Sequence, residues 1–270
     1  MAVRQESHAL PGAHLDWEKM PGHWLLARLG KRVLRPGGLE LTRAMLDGLD
    51  ISPRDTVVEL APGLGTTARL ALARAPASYV GVERDEAAVA STRRYLRPGR
   101  DDCRRGVAAN TELPDAFASV LYGEAMLTMQ TTPQKEAIVR EARRVLRSGG
   151  RYGIHELAIA PDDLAVAEKE AIQRELSDAI HVGARPLTVG EWRELLEGAG
   201  FRILQTTTAP MHLLHPTRIL ADEGLAGALR FAANVARTPA AWRRLGEMRS
   251  MFRKHEARLC AVMFVAEAVS

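Results

Sequence analysis

Residues 57–68 read Val57-Val58-Glu59-Leu60-Ala61-Pro62-Gly63-Leu64-Gly65-Thr66-Thr67-Ala68. A short apolar run passes into an acid, then a tight glycine turn, then the start of a helix. No other stretch constrains the fold as much. Glycine takes positive φ without penalty and lets a ligand lie against the main chain. The free N–H groups opening the next helix then point at that ligand. A strand, a turn and a helix in this order define a β-α unit built to hold something flat and polar, such as a nucleoside.

Two nucleosides fit the glycines. Gly63-Leu64-Gly65-Thr66-Thr67-Ala68 satisfies the dinucleotide pattern, and the acid Glu83 follows about 20 residues on, as that pattern asks. This is the reading of a NAD-dependent oxidoreductase. Glu59 favours the other. A carboxylate inside an apolar strand is costly unless it faces a cationic partner. S-adenosylmethionine carries both an ammonium group and a sulfonium centre.

Further along, Tyr79-Val80-Gly81-Val82-Glu83-Arg84 reads as a second strand ending in an acid. Gly123-Glu124-Ala125-Met126-Leu127 marks the end of a fourth. Val145-Leu146-Arg147-Ser148-Gly149-Gly150-Arg151 precedes a fifth. In this order and spacing, over roughly residues 40–210, the chain resembles the class I S-adenosylmethionine-dependent methyltransferases. Its flavour is that of the small-molecule group that includes quinone-biosynthesis C-methyltransferases. Four places depart from the family pattern. Ala61 stands for the first glycine of motif I and Ser148 for a proline. Gly106-Val107-Ala108 lacks the acid that holds the adenine amino group, and Phe117-Ala118 lacks the acid before strand four.

The resemblance implies a Rossmann-like α/β fold. It has a doubly wound seven-stranded sheet with an antiparallel last strand, an N-terminal helical lead and a helical insertion between the last two strands. It implies S-adenosylmethionine as cofactor and S-adenosylhomocysteine as product. The cofactor contacts it assigns are Glu59, Ala61, Pro62, Gly63, Gly65, Thr66, Glu83, Arg84, Ala108, Glu124 and Ala125. Glu59 would sit near the methionine amino end, Gly63 and Gly65 would line the cofactor, and Glu83 would take the ribose hydroxyls. Backbone near Ala108 would hold adenine. Methyl transfer from a sulfonium needs mainly alignment and exclusion of water, which supply on the order of 7–11 kcal/mol at best. A base is required only if the acceptor must lose a proton. Glu124 and His155 are the candidates for it, with His181, His212 and His215 behind them. Met126 and Met129 are candidates to line an apolar acceptor pocket. A cofactor-binding protein without turnover is the third alternative.

Composition narrows the partners. A net charge of +4 on 270 residues is mild, and aromatic residues make up only 5%. An RNA-binding face would need basic residues interleaved with aromatics. The acceptor is therefore expected to be a small, apolar or aromatic molecule, and no nucleic-acid partner is expected. Two distant cysteines give neither a metal-ligand pattern nor a disulfide framework. Cys103 reads as a surface or strand-edge thiol and Cys260 as a core residue. Met1–Leu10 is charged and not signal-like, and no apolar stretch is long enough for a membrane span. A cytoplasmic enzyme, monomeric or homodimeric and without a metal, is the expectation.

Four segments follow from the periodicity. Residues 1–50 form a helical lead, in which Trp24, Leu25, Leu29 and Val33 recur at helical spacing up to Arg35-Pro36-Gly37-Gly38. Residues 51–215 hold the cofactor-binding core. Within it Thr132 is positioned to cap a helix that Gly149 stops, and Thr188 opens another. Residues 216–256 read as two helices, the second starting at Thr238-Pro239, and form an insertion that could cap the site. Residues 257–270 supply the last core strand, so apolar that it must be buried on both faces.

Overall fold

The β-α alternation of the sequence is realised strand by strand. In the computed structural model, which describes Gly12 and residues 15–269, two helices lead: α1 (Gly22–Arg28) and α2 (Gly38–Gly48). Then come β1 (Thr56–Leu60), α3 (Thr66–Leu72), β2 (Ser78–Glu83), α4 (Glu86–Arg93), β3 (Asp101–Arg105) and β4 (Ala118–Glu124). The chain continues through α5 (Thr132–Val145), β5 (Leu146–Ile159), α6 (Val166–Ile180), β6 (Leu187–Thr188), α7 (Val189–Gly198) and β7 (Phe201–Pro210). It closes with α8 (Pro216–Ala236), α9 (Pro239–Lys254) and β8 (Leu259–Ala268). The reading of Met1–Leu10 lies outside the described residues.

The strand order is β3-β2-β1-β4-β5-β8-β7. Strands β1 to β5 pair in parallel, and β8 runs antiparallel between β5 and β7. The two-residue β6 adds an eighth strand, beside the end of β5, to the seven expected. It lies off the main path, where the chain straightens before the capping box of Thr188 and Glu191 opens α7.

Helices cover both faces, as a parallel sheet requires. On one face Leu41, Met45 and Leu46 of α2 pack with Val57, Val120 and Met263. On the other, Ile138, Val139, Trp192 and Leu196 pack with Val58 and Phe264. Strand β8 feeds both layers, Ala261, Met263 and Val265 to the first and Val262, Phe264 and Ala266 to the second. This is why its sequence shows no alternation. A third cluster joins Leu25, Leu26 and Leu29 of the lead to Phe231 and Val235 of α8 and Leu245 and Met248 of α9. Segments at opposite ends of the chain thus share one core.

Local expectations shift in four places. The lead helix stops at Arg28, because Gly30 takes φ +100° and Lys31 N–H folds back to the carbonyl of Leu26 at 3.0 Å. Residues 30–37 therefore run as an irregular strap. Thr131, not Thr132, occupies the cap of α5, with Gln134 completing a capping box. That helix ends at Val145, ahead of Gly149, because Leu146 is already extended (ψ 134°). Of the thiols, Cys103 does sit on an edge strand, β3, but is buried there, whereas Cys260, expected in the core, is partly exposed near the start of β8.

Candidate active site

The sheet reverses its winding between β1 and β4, and in such sheets ligands bind beyond the carboxyl ends of the strands. A cavity of about 310 Å³ opens there. Its polar half is lined by the turn after β1, the end of β2, Gly106–Ala108 and the end of β4. Its other half is apolar and lies under the strap, α6 and α9.

The glycine turn forms as read, but its two glycines do different work. Ala61 takes φ +54° and Gly63 φ +57°. A Cβ on Gly63 would meet nothing nearer than the Ala61 carbonyl oxygen at 4.0 Å, so this position faces open cavity. Gly65 (φ +74°) does not line the cavity, contrary to the sequence reading. A Cβ there would press on Tyr95 at 2.9 Å and Thr92 at 3.0 Å, so its bareness lets the turn pack against α4. Glu83 is buried at the end of β2. Its Oε2 accepts from Gly63 N–H and its Oε1 from Asp85 N–H, both at 3.0 Å. Each oxygen has acceptor capacity left over, and Glu83 lines the cavity.

Glu59 lines the cavity, as its position suggested. Its Oε2 accepts from the Tyr79 and Tyr122 hydroxyls at 2.6 and 2.8 Å. Burial pushes its carboxyl up to about 8, the nearby charge of Glu124 adds to this, and the two phenols only partly oppose it. Without a cation against it the carboxyl is thus held toward its neutral form, and a cationic group placed beside it would draw it back toward the anion.

The charge sits on Glu124 instead. Its Oε1 accepts from the Thr42 hydroxyl at 2.6 Å, faces His155 Nδ1 at 2.8 Å and lies 3.2 Å from Arg35 Nε. Its Oε2 accepts from the Thr67 hydroxyl. Burial alone would favour the neutral acid; Arg35, His155 and Thr42 outweigh it and hold the carboxyl down to about 2. A carboxylate held that low is a poor proton acceptor, which weighs against Glu124 as a general base. His155 is no better placed. It is fully buried, does not line the cavity, and its Nε2 lies 2.6 Å from the Pro36 carbonyl oxygen. Both ring nitrogens are thus engaged, Nδ1 with Glu124 and Nε2 with Pro36. Its role is to tie the strap to Glu124.

The remaining candidates divide cleanly. Ala61, Pro62, Thr66, Arg84, Ala108, Ala125, Met126 and Met129 line the cavity. His181 caps α6 on the outside, and His212 and His215 stack on each other 5.2 Å apart; none of the three lines it. Sequence reasoning missed His23, Trp24 and Arg35 of the lead, Thr67 of α3, and Leu176 of α6. Only the recurrence of Ile172, Leu176 and Ile180 in α6 carried a signal that could have been read. Burial, with the charge of Arg84 adding to it, pushes His23 down to about 4, so it meets the cavity as a neutral ring.

Comparison with known proteins agrees with this geometry. Residues 57–150 match a methyltransferase domain family. An uncharacterised protein of Haemophilus influenzae is 32% identical over 218 residues, covering 79% of this chain and 84% of its own. Methyltransferase GfsG of Streptomyces halstedii is 29% identical over 182 residues, covering 64% and 62%. Geranyl diphosphate methyltransferase, solved with geranyl diphosphate and sinefungin, superposes with a TM-score of 0.62 at 15% identity, covering 86% of this chain and 78% of its own. The chain belongs to the class I S-adenosylmethionine-dependent methyltransferases, and it is an enzyme of methyl transfer with S-adenosylmethionine as its cofactor. The pyridine-nucleotide and non-catalytic alternatives are set aside. The residues fit that cofactor: Gly63 leaves the turn bare, and Glu83 at the cavity wall has acceptor capacity beyond its two backbone bonds.

Proposed function

We propose that this methyltransferase acts on a small, apolar molecule enclosed between the strap, α6 and α9. One observation carries this reading. The cavity continues from the glycine turn into a chamber lined by Met129, Leu157, Leu176, Met211, Met248 and Phe252. Such a wall offers contact area but no charged docking group to a peptide or an RNA. A fold relative, geranyl diphosphate methyltransferase, is named for an acceptor with an apolar chain, which supports the same reading.

The proposed division of labour follows from the side chains. Gly63 and Thr66 flank the cofactor, Glu83 accepts from its ribose, and Ala108 and Arg84 border its adenine. When bound, the cofactor supplies a methyl group on a positively charged sulfur. Glu124, fixed by its four partners, holds the polar floor. Met129, Met248 and Phe252 orient the acceptor and exclude water. Orientation then replaces acid–base chemistry, since neither Glu124 nor His155 is well placed to take a proton. The insertion 216–256 serves as the cap over the core 51–215, because α9 contributes both Met248 and Phe252 to the chamber. Two free cysteines suit a cytoplasmic setting. Among the described residues no helix is long and apolar enough to cross a membrane.

Methyl transfer from labelled cofactor to a panel of terpenoid, aromatic and polyketide acceptors, with tRNA and peptides as comparison, tests this. Phe252→Ala is expected to raise the KM for the apolar acceptor by about tenfold, the size of a lost buried contact, with S-adenosylhomocysteine affinity unchanged within about twofold. Turnover confined to peptide or RNA would overturn the reading.

A further inference from the structure

Helix α8 is apolar on two sides, and only one of them is covered. Its inner side buries Phe231 and Val235 against the lead. Its acids also turn inward. Asp222 Oδ1 accepts from Leu39 N–H at 3.0 Å, and Glu223 Oε1 accepts from Arg32 and Val33 N–H at 2.8 and 2.9 Å. Gly224 then breaks the helical φ and ψ. Beyond this kink Leu225, Leu229, Ala232 and Ala236 recur at i, i+4, i+7 and i+11, which puts them on one face. That face is exposed, Leu225 at 68% and Leu229 at 62%. Beside it a groove of about 380 Å³ runs between α8 and α9, lined by Ala228, Ala232, Leu245 and Trp242. Trp242 is itself 67% exposed. A helix apolar all round is normally enclosed by protein or lipid, and contiguous apolar surface marks a contact site.

Arginines border this face. Arg230 and Arg237 each follow a residue of the stripe by one position and lie two turns apart along its margin, and Arg249 lines the groove from α9. All three are exposed, and none is in an ion pair among the described residues. Residues 216–254 hold eight Lys or Arg and three Asp or Glu, and two of those acids are the inward pair. The whole chain carries only +4, so its positive charge is concentrated in this hairpin.

We propose that the outer face of α8 and α9 docks on an anionic lipid surface. Leu225, Leu229 and Trp242 enter the acyl boundary, and Arg230, Arg237 and Arg249 meet the headgroups; an apolar stripe with a basic margin is how a helix lies in a membrane interface. Charge decides the occupant. A second copy on the same face would bring unpaired arginines against one another, whereas anionic headgroups neutralise them. A specific protein interface carries about one hydrogen bond per 100–200 Å², and the stripe from Leu225 to Ala236 offers none beyond the bordering arginines.

Co-sedimentation of the intact chain with phosphatidylcholine vesicles, pure or with about 30% phosphatidylglycerol, tests this. Partitioning to the anionic vesicles should exceed that to the neutral ones by at least about tenfold and fall steeply in high salt. Arg230→Gln with Arg237→Gln should lower it by about 25-fold, since each arginine near the surface is worth about fivefold. Leu225→Ser with Leu229→Ser should lower it by more than about tenfold on the same vesicles. All four positions are exposed, so both variants should melt with wild type. Tryptophan emission should shift to the blue with anionic vesicles, and Trp242→Phe should lose that shift. Three results would overturn the proposal. Wild type may fail to sediment with anionic vesicles. The leucine pair may be without effect, which would leave only attraction between opposite charges. Sedimentation velocity may show a wild-type dimer that the leucine pair separates, which would make a second copy the occupant.

Discussion

Glu59 admits two descriptions, an anion facing a ligand's cation or a neutral acid held by two phenols, and Glu59→Gln separates them. As an anion paired with a ligand ammonium, Glu59 could not be replaced by an amide without a loss of about 3–5 kcal/mol, at least 100-fold in affinity. As a neutral acid it is closely mimicked. The amide oxygen can accept from Tyr79 and Tyr122 as Oε2 now does, at 2.6 and 2.8 Å. The account therefore expects S-adenosylhomocysteine to bind Glu59→Gln within about threefold of wild type, since both hydrogen bonds survive. Stability gives the second readout. The carboxyl is raised from 4.5 to about 8 in the fold, and Glu59 is only 3% exposed. A group whose native pKa is raised contributes fully below its unfolded value and loses that contribution as pH rises through its native value. Wild type should therefore lose stability between pH 4.5 and about 8, on the order of 4 kcal/mol from this group. Glu59→Gln should lack that component. Urea titrations of both proteins at pH 5 and pH 8.5 give the difference directly. An amide variant that binds 100-fold more weakly, with the same pH dependence of stability as wild type, would refute the reasoning.

Three further expectations follow from the same geometry. Glu124→Gln leaves Arg35 and His155 without their anion and should destabilise the chain by about 3–5 kcal/mol; in wild type the depressed pKa makes the Glu124 contribution present above pH 4.5 and lost as pH falls toward 2, measurable by denaturant titration across that range. Glu83→Ala should weaken S-adenosylhomocysteine by about 30-fold or more, since hydrogen bonds to a charged group are each worth about 1.5–3 kcal/mol, while a ligand lacking both ribose hydroxyls should be insensitive to it. Gly65→Ala should lower the melting temperature by several degrees, through positive φ and the collision with Tyr95 and Thr92, whereas Gly63→Ala, facing open cavity, should mainly weaken cofactor binding; thermal melts and calorimetry on the pair distinguish them.

The core of the fold was legible because strand positions and glycine turns act locally. Val57, Val58 and Leu60 could only be a buried strand, and the unbroken apolar run from Leu259 had to be an interior one. Thr188 and Glu191 announced the start of α7 by their spacing alone. What failed was non-local. The raised carboxyl of Glu59 comes from burial once β2 and β4 flank β1, and the Tyr79 and Tyr122 hydroxyls that this brings against it only partly oppose the shift. Gly65 reads like Gly63 until Tyr95 of the following segment packs on it. Arg35 gives no periodic signal, because the strap that carries it has no regular structure and reaches the site through Thr42, Glu124 and Pro36. His155 sat at the right strand end, but only the tertiary fold shows both of its nitrogens engaged.

A crystal structure with bound S-adenosylhomocysteine tests the central claim most directly, which is that one cavity holds the adenosyl group on the turn and opens its sulfur toward an apolar chamber. The account requires the ribose hydroxyls on Glu83, the adenosyl group passing over Gly63, and the sulfur facing Met129, Met248 and Phe252. A ribose seated away from Glu83, or a sulfur turned toward solvent with the chamber cut off behind it, would contradict it.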